Sequence, residues 1–555
     1  MPDNTDAIYE EFSELRDRAT LEVLNSDAEK RIIIAGPGTG KSYLFQEVCK
    51  KLISQNHTNI LTLSFINELV DDLAIDLYKL AEVRTLHSLA LSLLPTSSKM
   101  FLELESVIAD DYCILNGTEI DYKYLLCNLL DEPEKLEFYS SRRRYYNFFS
   151  PNCSVYTLMK YFEADPNRIP TYSQLLIDEY QDFNRLEAKL LTQLLTKSPV
   201  LIVGDDDQSL YDFKNAIPDD IRNKAYSDEF TTFELPYCSR CTKVAIDAYN
   251  KLVQASQEKG FLQSRYPKDF QYFPSKNKDH ISNTYDKIGI KKGVFTNTLA
   301  YQIDSQIKAM VNPKDEKLPS ILIICPLRKQ IIELERALSQ KGYRNIDASE
   351  RHAEDILLSA ANLIIDDSRC NLGWRILFKD ACVKAGMEER YQEVLSASTE
   401  SQDSFLNLLT VDERRPIKRV VAILRKIRNG NDITEEDFFI ATKFLNIDPS
   451  VLAKLKMRSI LDQSRISKNI FRDIPIKIVT ILGSKGLTKD VSFLVNFDDR
   501  YLLERDGQNL TTSDTKICGF LVALTRSKTK TFIFTAEDSY PTYVQWIGEE
   551  YVQEL

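Results

Sequence analysis

The chain has 555 residues, too many for a single hydrophobic core, so two to four domains are expected. Hydrophobic residues at 43% and charged residues at 28% describe an ordinary globular protein, and a net charge of −11 excludes a surface coated in basic groups. Any nucleic-acid contact must therefore be a local groove rather than a global field. No run approaches the ~18 apolar residues of a membrane span, and the opening MPDNTDAIYEEF is acidic, unlike a signal peptide. A cytoplasmic protein without a membrane partner is the expectation.

In chain order, the apolar run at 32–34 reads as a buried strand, followed by the turn AGPGTGKS at 35–42. Such a turn points successive backbone N–H groups into one concavity at the start of a helix, where the helix dipole also favours anions. Gly36, Pro37, Gly38, Thr39, Gly40, Lys41 and Ser42 form the candidate phosphate loop. Lys41 can reach terminal phosphates, and the Ser42 hydroxyl can ligate Mg²⁺. The first position of the general P-loop pattern is Ala35 instead of glycine. A strand (60–65) and a helix (67–81) follow, then a further helix from Thr85. Residues 96–170 lose the alternation and read as a helical, aromatic and charged insertion. At 175–183 the pattern resumes with LLIDEYQDF, a strand that delivers Asp178 and Glu179 at its end. One carboxylate can hold the metal while its neighbour orients the attacking water. Together the two segments predict hydrolysis of a nucleoside triphosphate.

The rest of the chain repeats this logic. VLIV (200–203) reads as a strand and leads into GDDDQSLYDFKNA (204–216). A second α/β block begins near Phe233 and includes LPYCSRCTKVAIDAYN (235–250) and SILIICPLRKQIIELERALSQKGY (320–343). Residues 356–470 read as helical. Three strand candidates close the chain: KIVTIL, VSFLVNF and TKTFIFTA. Cys238 and Cys241 form a CxxC, but no second pair and no nearby histidine accompanies them, so reduced thiols are expected in preference to a metal site.

The content and order of these motifs, with KIVTILGSKGLTKDVSFL (477–494) and FLVALTRSK (520–528), resemble the UvrD/Rep-like branch of superfamily 1 helicases. In that family the acidic motif reads DExQD and the P-loop begins with alanine. The resemblance covers about residues 31–530, whereas 96–170 and 356–470 match only by position. It implies an α/β fold of two RecA-like parallel-sheet P-loop motor domains, each interrupted by a mainly helical insertion. The expected boundaries are 1–95, 171–232, 233–355 and 471–555 for the motor, with insertions at 96–170 and 356–470.

The same resemblance assigns roles. Lys41 and Ser42 meet phosphate and Mg²⁺, with Asp178 as the metal carboxylate and Glu179 as the general base. Gln208 senses the terminal phosphate, and Gln181 lies in the acidic motif. Arg240 and Arg526 cross the cleft to neutralise charge on the transferring phosphoryl group, a role suited to a planar, permanently charged guanidinium. Phe65, Tyr211 and Phe213 occupy base-stacking positions, Thr85 and His87 lie along the strand, and Lys214 adds a phosphate contact. Core packing is the alternative for each aromatic. The cluster SRRRYYNFFS (141–150) reads either as a grip on nucleic acid or as a solvated charged face beside an aromatic core.

Three positions depart from the family. Residues 1–40 contain no glutamine to read adenine, Ser239 replaces the base-stacking tyrosine (with Tyr237 two residues away), and Thr488 replaces the ribose-binding glutamate. All three concern the nucleoside, whereas the phosphate and metal residues are intact. The expected activity is ATP-driven movement on single-stranded or tailed duplex DNA, 3′ to 5′, with strand separation. The alternative is a DNA-sensing ATPase that regulates a partner nuclease, since the compact build and LPYCSRCT resemble helicase-like components of anti-phage systems such as Gabija. No nuclease constellation is visible in the sequence.

Overall fold

A computed structural model describes residues 4–65, 67–210, 216, 218–311, 318–348, 356–400, 403–447, 473–506 and 509–555. The chain divides into two compact units, one of Met1–Leu89, Met159–Glu350 and Ser467–Leu555, the other of Ala90–Leu158 and Arg351–Ile466.

The first unit holds two parallel sheets. In the first sheet the strands are β1 (Lys30–Ile34), β2 (Ile60–Ser64), β3 (Glu82–Thr85), β6 (Gln174–Ile177), β7 (Val200–Gly204) and β8 (Thr231–Phe233). Their spatial order is β3-β2-β6-β7-β1-β8, and every pairing is parallel. The strands β2, β6 and β7 are buried along their whole length, as expected where helices cover both faces of a parallel sheet. One face packs on Leu44, Phe45 and Val48 of α2 (Lys41–Ser54) and on Val23 of α1 (Asn4–Asn25).

The second sheet contains β11 (Ile288–Lys291), β12 (Ile321–Cys325), β13 (Ile346–Asp347), β14 (Ile476–Thr480), β15 (Lys489–Val495), β18 (Ser527–Phe534) and β19 (Val552–Glu554). Its order is β13-β14-β12-β15-β18-β11-β19, again wholly parallel. The alternation of β12 sorts its side chains onto two cores: Leu322 and Ile324 join one, Ile321, Ile323 and Cys325 the other. Between the sheets in sequence, β9 (Tyr237–Cys238) and β10 (Gln271–Tyr272) pair as a short parallel ribbon. A small antiparallel hairpin joins β16 (Glu504–Asp506) to β17 (Asn509–Thr511). The three closing strands expected from the sequence are β14, β15 and β18. The architecture is α/β with two RecA-like parallel sheets.

The second unit draws on both stretches read as insertions. Apart from the two-residue strands β4 (Lys99–Met100) and β5 (Phe148–Phe149), its described secondary structure is helical. A buried carboxylate helps tie the two stretches together. Asp111, in the helix Leu104–Asn116, accepts from Arg142 Nε at 3.0 Å, from Tyr146 Oη at 2.5 Å and from Arg375 Nε at 2.8 Å. Arg375 also pairs with Asp110, which Lys379 Nζ reaches at 2.6 Å. The basic–aromatic cluster is therefore partly internal: Arg142 is buried on Asp111, and the Arg143 guanidinium lies 4.1 Å from the Phe149 ring centroid.

Candidate nucleotide site

The loop 35–42 leaves β1 and enters α2 through two glycines with left-handed backbone, Gly38 at φ 73° and Gly40 at φ 95°. Gly38 needs its missing side chain as well, because a Cβ there would stand 2.4 Å from Arg240 Cβ and 3.1 Å from Cys238 Sγ. Gly40 is the N-cap of α2 and has no capping side chain, so the helix start presents bare amides. Thr39 braces the turn by donating to the Gly36 carbonyl at 2.9 Å, and Pro37 lines the cavity mouth. That cavity, about 700 Å³, is lined by Lys41, Ser42, Asp178, Glu179, Gln208 and the two arginines Arg240 and Arg526.

Lys41 Nζ donates to Glu179 Oε1 at 3.2 Å, and both side chains are nearly closed to solvent. Burial pulls the Lys41 pKa down, but the carboxylates of Glu179 and Asp178 outweigh it and hold the ammonium above its ordinary value. Glu179 sits at φ 50°, a left-handed conformation that a glutamate adopts only when its surroundings enforce it. Burial works to raise its pKa, yet Lys41 and Lys485 prevail and hold it at about 2. Asp178 goes the other way: burial, then the charge of Glu179, push it up to about 7. Its Oδ1 is buried and accepts no hydrogen bond from the described residues. An orphaned, desolvated carboxylate oxygen beside the P-loop hydroxyl of Ser42 fits a divalent cation.

A relay of side chains runs from these carboxylates to the second sheet. Gln181 Nε2 donates to Glu179 Oε2 at 2.7 Å, while its Oε1 accepts from the Asp205 amide at 2.9 Å. Gln208 Nε2 donates to Asp205 Oδ2 at 2.6 Å, and Gln208 Oε1 accepts from Arg526 Nη2 at 3.0 Å. Arg526 is 1% exposed and is held by the Val522 carbonyl. Burial, with Arg240 close by, lowers its pKa to about 10, so it carries its charge at neutral pH. Sequence reasoning missed Lys485, a buried lysine that joins Asp182 (2.7 Å) to the Gln208 carbonyl. Its position inside SKGL was the available signal.

Residues 20–214 match the family described as AAA domain. DNA helicase II of Haemophilus influenzae is 31% identical over 103 residues, covering 18% of this chain and 14% of that protein. ATP-dependent DNA helicase Rep of Buchnera aphidicola is 48% identical over 50 residues (9% and 8%). Over these segments the chain is similar to DNA helicase II and Rep. The matched segments are short, spanning less than a sixth of each of these relatives.

The chain builds a second cavity of about 210 Å³ next to the P-loop. Its walls are Arg16 and Thr20 of α1, Tyr43 of α2, and Pro236 and Tyr237. Tyr237 is held edge-on by Phe12, with ring centroids 5.7 Å apart. Ser239, in the family's tyrosine position, donates its amide to the Gly38 carbonyl at 3.0 Å. Thr488, in the glutamate position, lines the larger cavity. The α1 contribution was invisible in sequence, because neither arginine nor threonine carries a base-reading signature on its own.

Of the expected strand-contacting residues, Phe65 is 9% exposed and packs edge-on against Phe183, with centroids 5.6 Å apart. The Thr85 hydroxyl accepts from the Ser88 amide at 3.1 Å, and His87 Nε2 meets Glu187 Oε1 at 3.0 Å. Tyr211, Phe213 and Lys214 lie outside the described residues. Just before them, Asp205, Asp206 and Asp207 converge on Lys268 Nζ at 2.5, 2.6 and 2.8 Å. A lysine thus supplies the positive centre among these three carboxylates, with Arg265 on Asp207 at 2.8 Å and Arg222 on Asp206 at 3.0 Å.

Proposed function

We propose that this chain is an ATP-driven motor that moves along single-stranded DNA, 3′ to 5′, and separates duplex. The observation that carries this reading is the chain of contacts from Lys41 and Glu179 through Gln181, Asp205 and Gln208 to Arg526. Such a chain lets the two sheets respond together to the terminal phosphate.

In this reading Lys41 and the α2 amides hold the phosphates, and Ser42 with Asp178 would hold Mg²⁺. When bound, the ion would neutralise negative charge on the phosphates. Glu179, kept ionised by Lys41 and Lys485, orients the attacking water and takes its proton. Arg240 and Arg526 meet the charge that accumulates on the phosphoryl group. The base rests in the cavity of Tyr43, Tyr237, Arg16 and Thr20, with ATP as the fuel. Closure of the cavity over nucleotide shifts the DNA past the stacking residues. Likeness to proteins named as DNA helicases supports DNA as the track.

The test is ATP turnover with and without single-stranded DNA, alongside unwinding of 3′- and 5′-tailed duplexes. Stimulation by DNA, weakened by salt, and unwinding of the 3′-tailed substrate are expected. Turnover indifferent to DNA at low salt would overturn the motor. Stimulation by DNA ends without strand separation would favour the DNA-sensing component of a nuclease complex instead.

A further inference from the structure

The CxxC at 238–241 is absorbed by neither the nucleotide chemistry nor a metal site, yet it adjoins Gly38, Arg240 and Thr525. Arg240 lies between the two cysteines in sequence. Cys238 ends β9 and faces the P-loop, its Sγ 3.1 Å from where a Gly38 side chain would begin. The Cys241 thiol donates to the carbonyl of Thr525, the residue before Arg526, at 3.5 Å. The Cys241 amide donates to Cys238 Sγ, also at 3.5 Å. Both cysteines are 0% exposed.

Cys238 is also the more acidic of the pair. Burial opposes its ionisation, but hydrogen bonds from Cys241 and the nearby Arg240 guanidinium bring its pKa down to about 6. Cys241 moves the opposite way, raised by its hydrogen bond to Cys238 and by burial. This asymmetry gives one nucleophilic thiolate and one resolving thiol.

We propose that Cys238 and Cys241 are a redox modification site, closing to a reversible disulfide that withdraws Arg240 and disables the phosphate site. The oxidant is a hydroperoxide. The Cys238 thiolate attacks the distal peroxide oxygen, the O–O bond breaks, and the leaving oxygen departs protonated as water or an alcohol. The resulting sulfenic acid is attacked by the Cys241 sulfur, the S–S bond forms and water leaves. Two thiols are oxidised by two electrons and one peroxide is reduced. An S–S bond of about 2.0 Å requires the two sulfurs to approach each other. That contraction removes Cys241 from the Thr525 carbonyl and moves the turn carrying Arg240. A displacement of about 1 Å at such a position costs on the order of a hundredfold in rate.

This inference rests on the proposed role of Arg240, so its test reads chemistry and turnover separately. The full chain is treated with hydrogen peroxide, remaining thiols are alkylated, and the protein is digested with trypsin. Cleavage after Arg240 leaves residues 225–240 and 241–243 as two peptides joined only by the proposed bond. The linked pair is expected to appear as ATP turnover falls by at least about tenfold, both reversing with dithiothreitol. Cys238→Ser, or Cys238→Ala should serine fold poorly, removes the reacting thiolate and should keep its own starting turnover in peroxide; a variant that still loses turnover overturns the switch. Absence of the linked peptides while other cysteines oxidise overturns the site. Their full formation with unchanged turnover overturns the switch. A reduced protein that hydrolyses nothing overturns the proposed function, and the linked peptides still decide the site.

Discussion

Asp178 and Glu179 are adjacent and equally buried, yet their protons are held at opposite ends of the carboxylate range. Both feel Lys41, but Glu179 also takes hydrogen bonds from Lys41 and Gln181 and the charge of Lys485, whereas Asp178 has an oxygen that accepts nothing among the described residues. Glu179→Gln should lower turnover by at least about a hundredfold with nucleotide binding retained, because the group that positions water is lost while the phosphate amides remain. Steady-state hydrolysis with a fluorescent-nucleotide titration checks this, and near-normal turnover would remove Glu179 from the role of base. Asp178 predicts a loss of stability as pH rises. Its folded pKa of about 7 lies above its unfolded value of 3.8, so ionisation is disfavoured in the fold and stability is lost as pH rises between those values. Asp178→Asn should therefore melt above the parent in metal-free buffer at pH 8, and the gap should narrow toward pH 5. Glu179 does not blur the comparison, since its depressed pKa leaves its contribution constant across that window. A gap that widens on acidification would refute the reading.

At the level of elements, the segment 204–210 is fixed from below by charge. Lys268 is buried among Asp205, Asp206 and Asp207, whose attraction outweighs burial and raises its pKa. Lys268→Met would leave those carboxylates with Arg265 and Arg222 as their cationic partners. The expected cost is about 3–5 kcal/mol in urea unfolding, the range for a buried charge stripped of its partner. A change below about 1 kcal/mol would mean that water reaches the cluster. The same segment shows how far the sequence could be read. The P-loop, the acidic strand end and both arginines were legible because each is a short contiguous pattern tied to one backbone shape. Both parallel sheets were legible from apolar runs at strand length. Lys268 and Lys485 were not assigned, because a buried lysine looks like a surface lysine until its carboxylates are placed around it. The small cavity on α1 was missed for the same reason, since Arg16 and Thr20 gain meaning only beside Tyr237.

Across the whole molecule, the second unit is assembled from stretches that the sequence shows only as two separate helical regions. Nothing local announces that Asp111 will meet Arg142 and Arg375. Arg375→Met should destabilise this unit selectively. Hydrogen exchange is expected to quicken in the helices Leu104–Asn116 and Asn371–Ala385 while β1 and β7 keep their protection. Uniform loss of protection in both units would show that the clasp matters to the entire chain.

That clasp also sets a clock during synthesis. Asp111 leaves the ribosome 264 residues before the arginine that completes its hydrogen bonds. At the usual ~5–20 residues per second, the delay is roughly 13–53 s. For that interval the helices from the first stretch carry apolar faces and a half-paired carboxylate with no finished core to receive them. A nascent chain halted before Arg375 should accordingly be bound by holding chaperones and cut readily by protease between 90 and 158, and extension past Arg428 should end both.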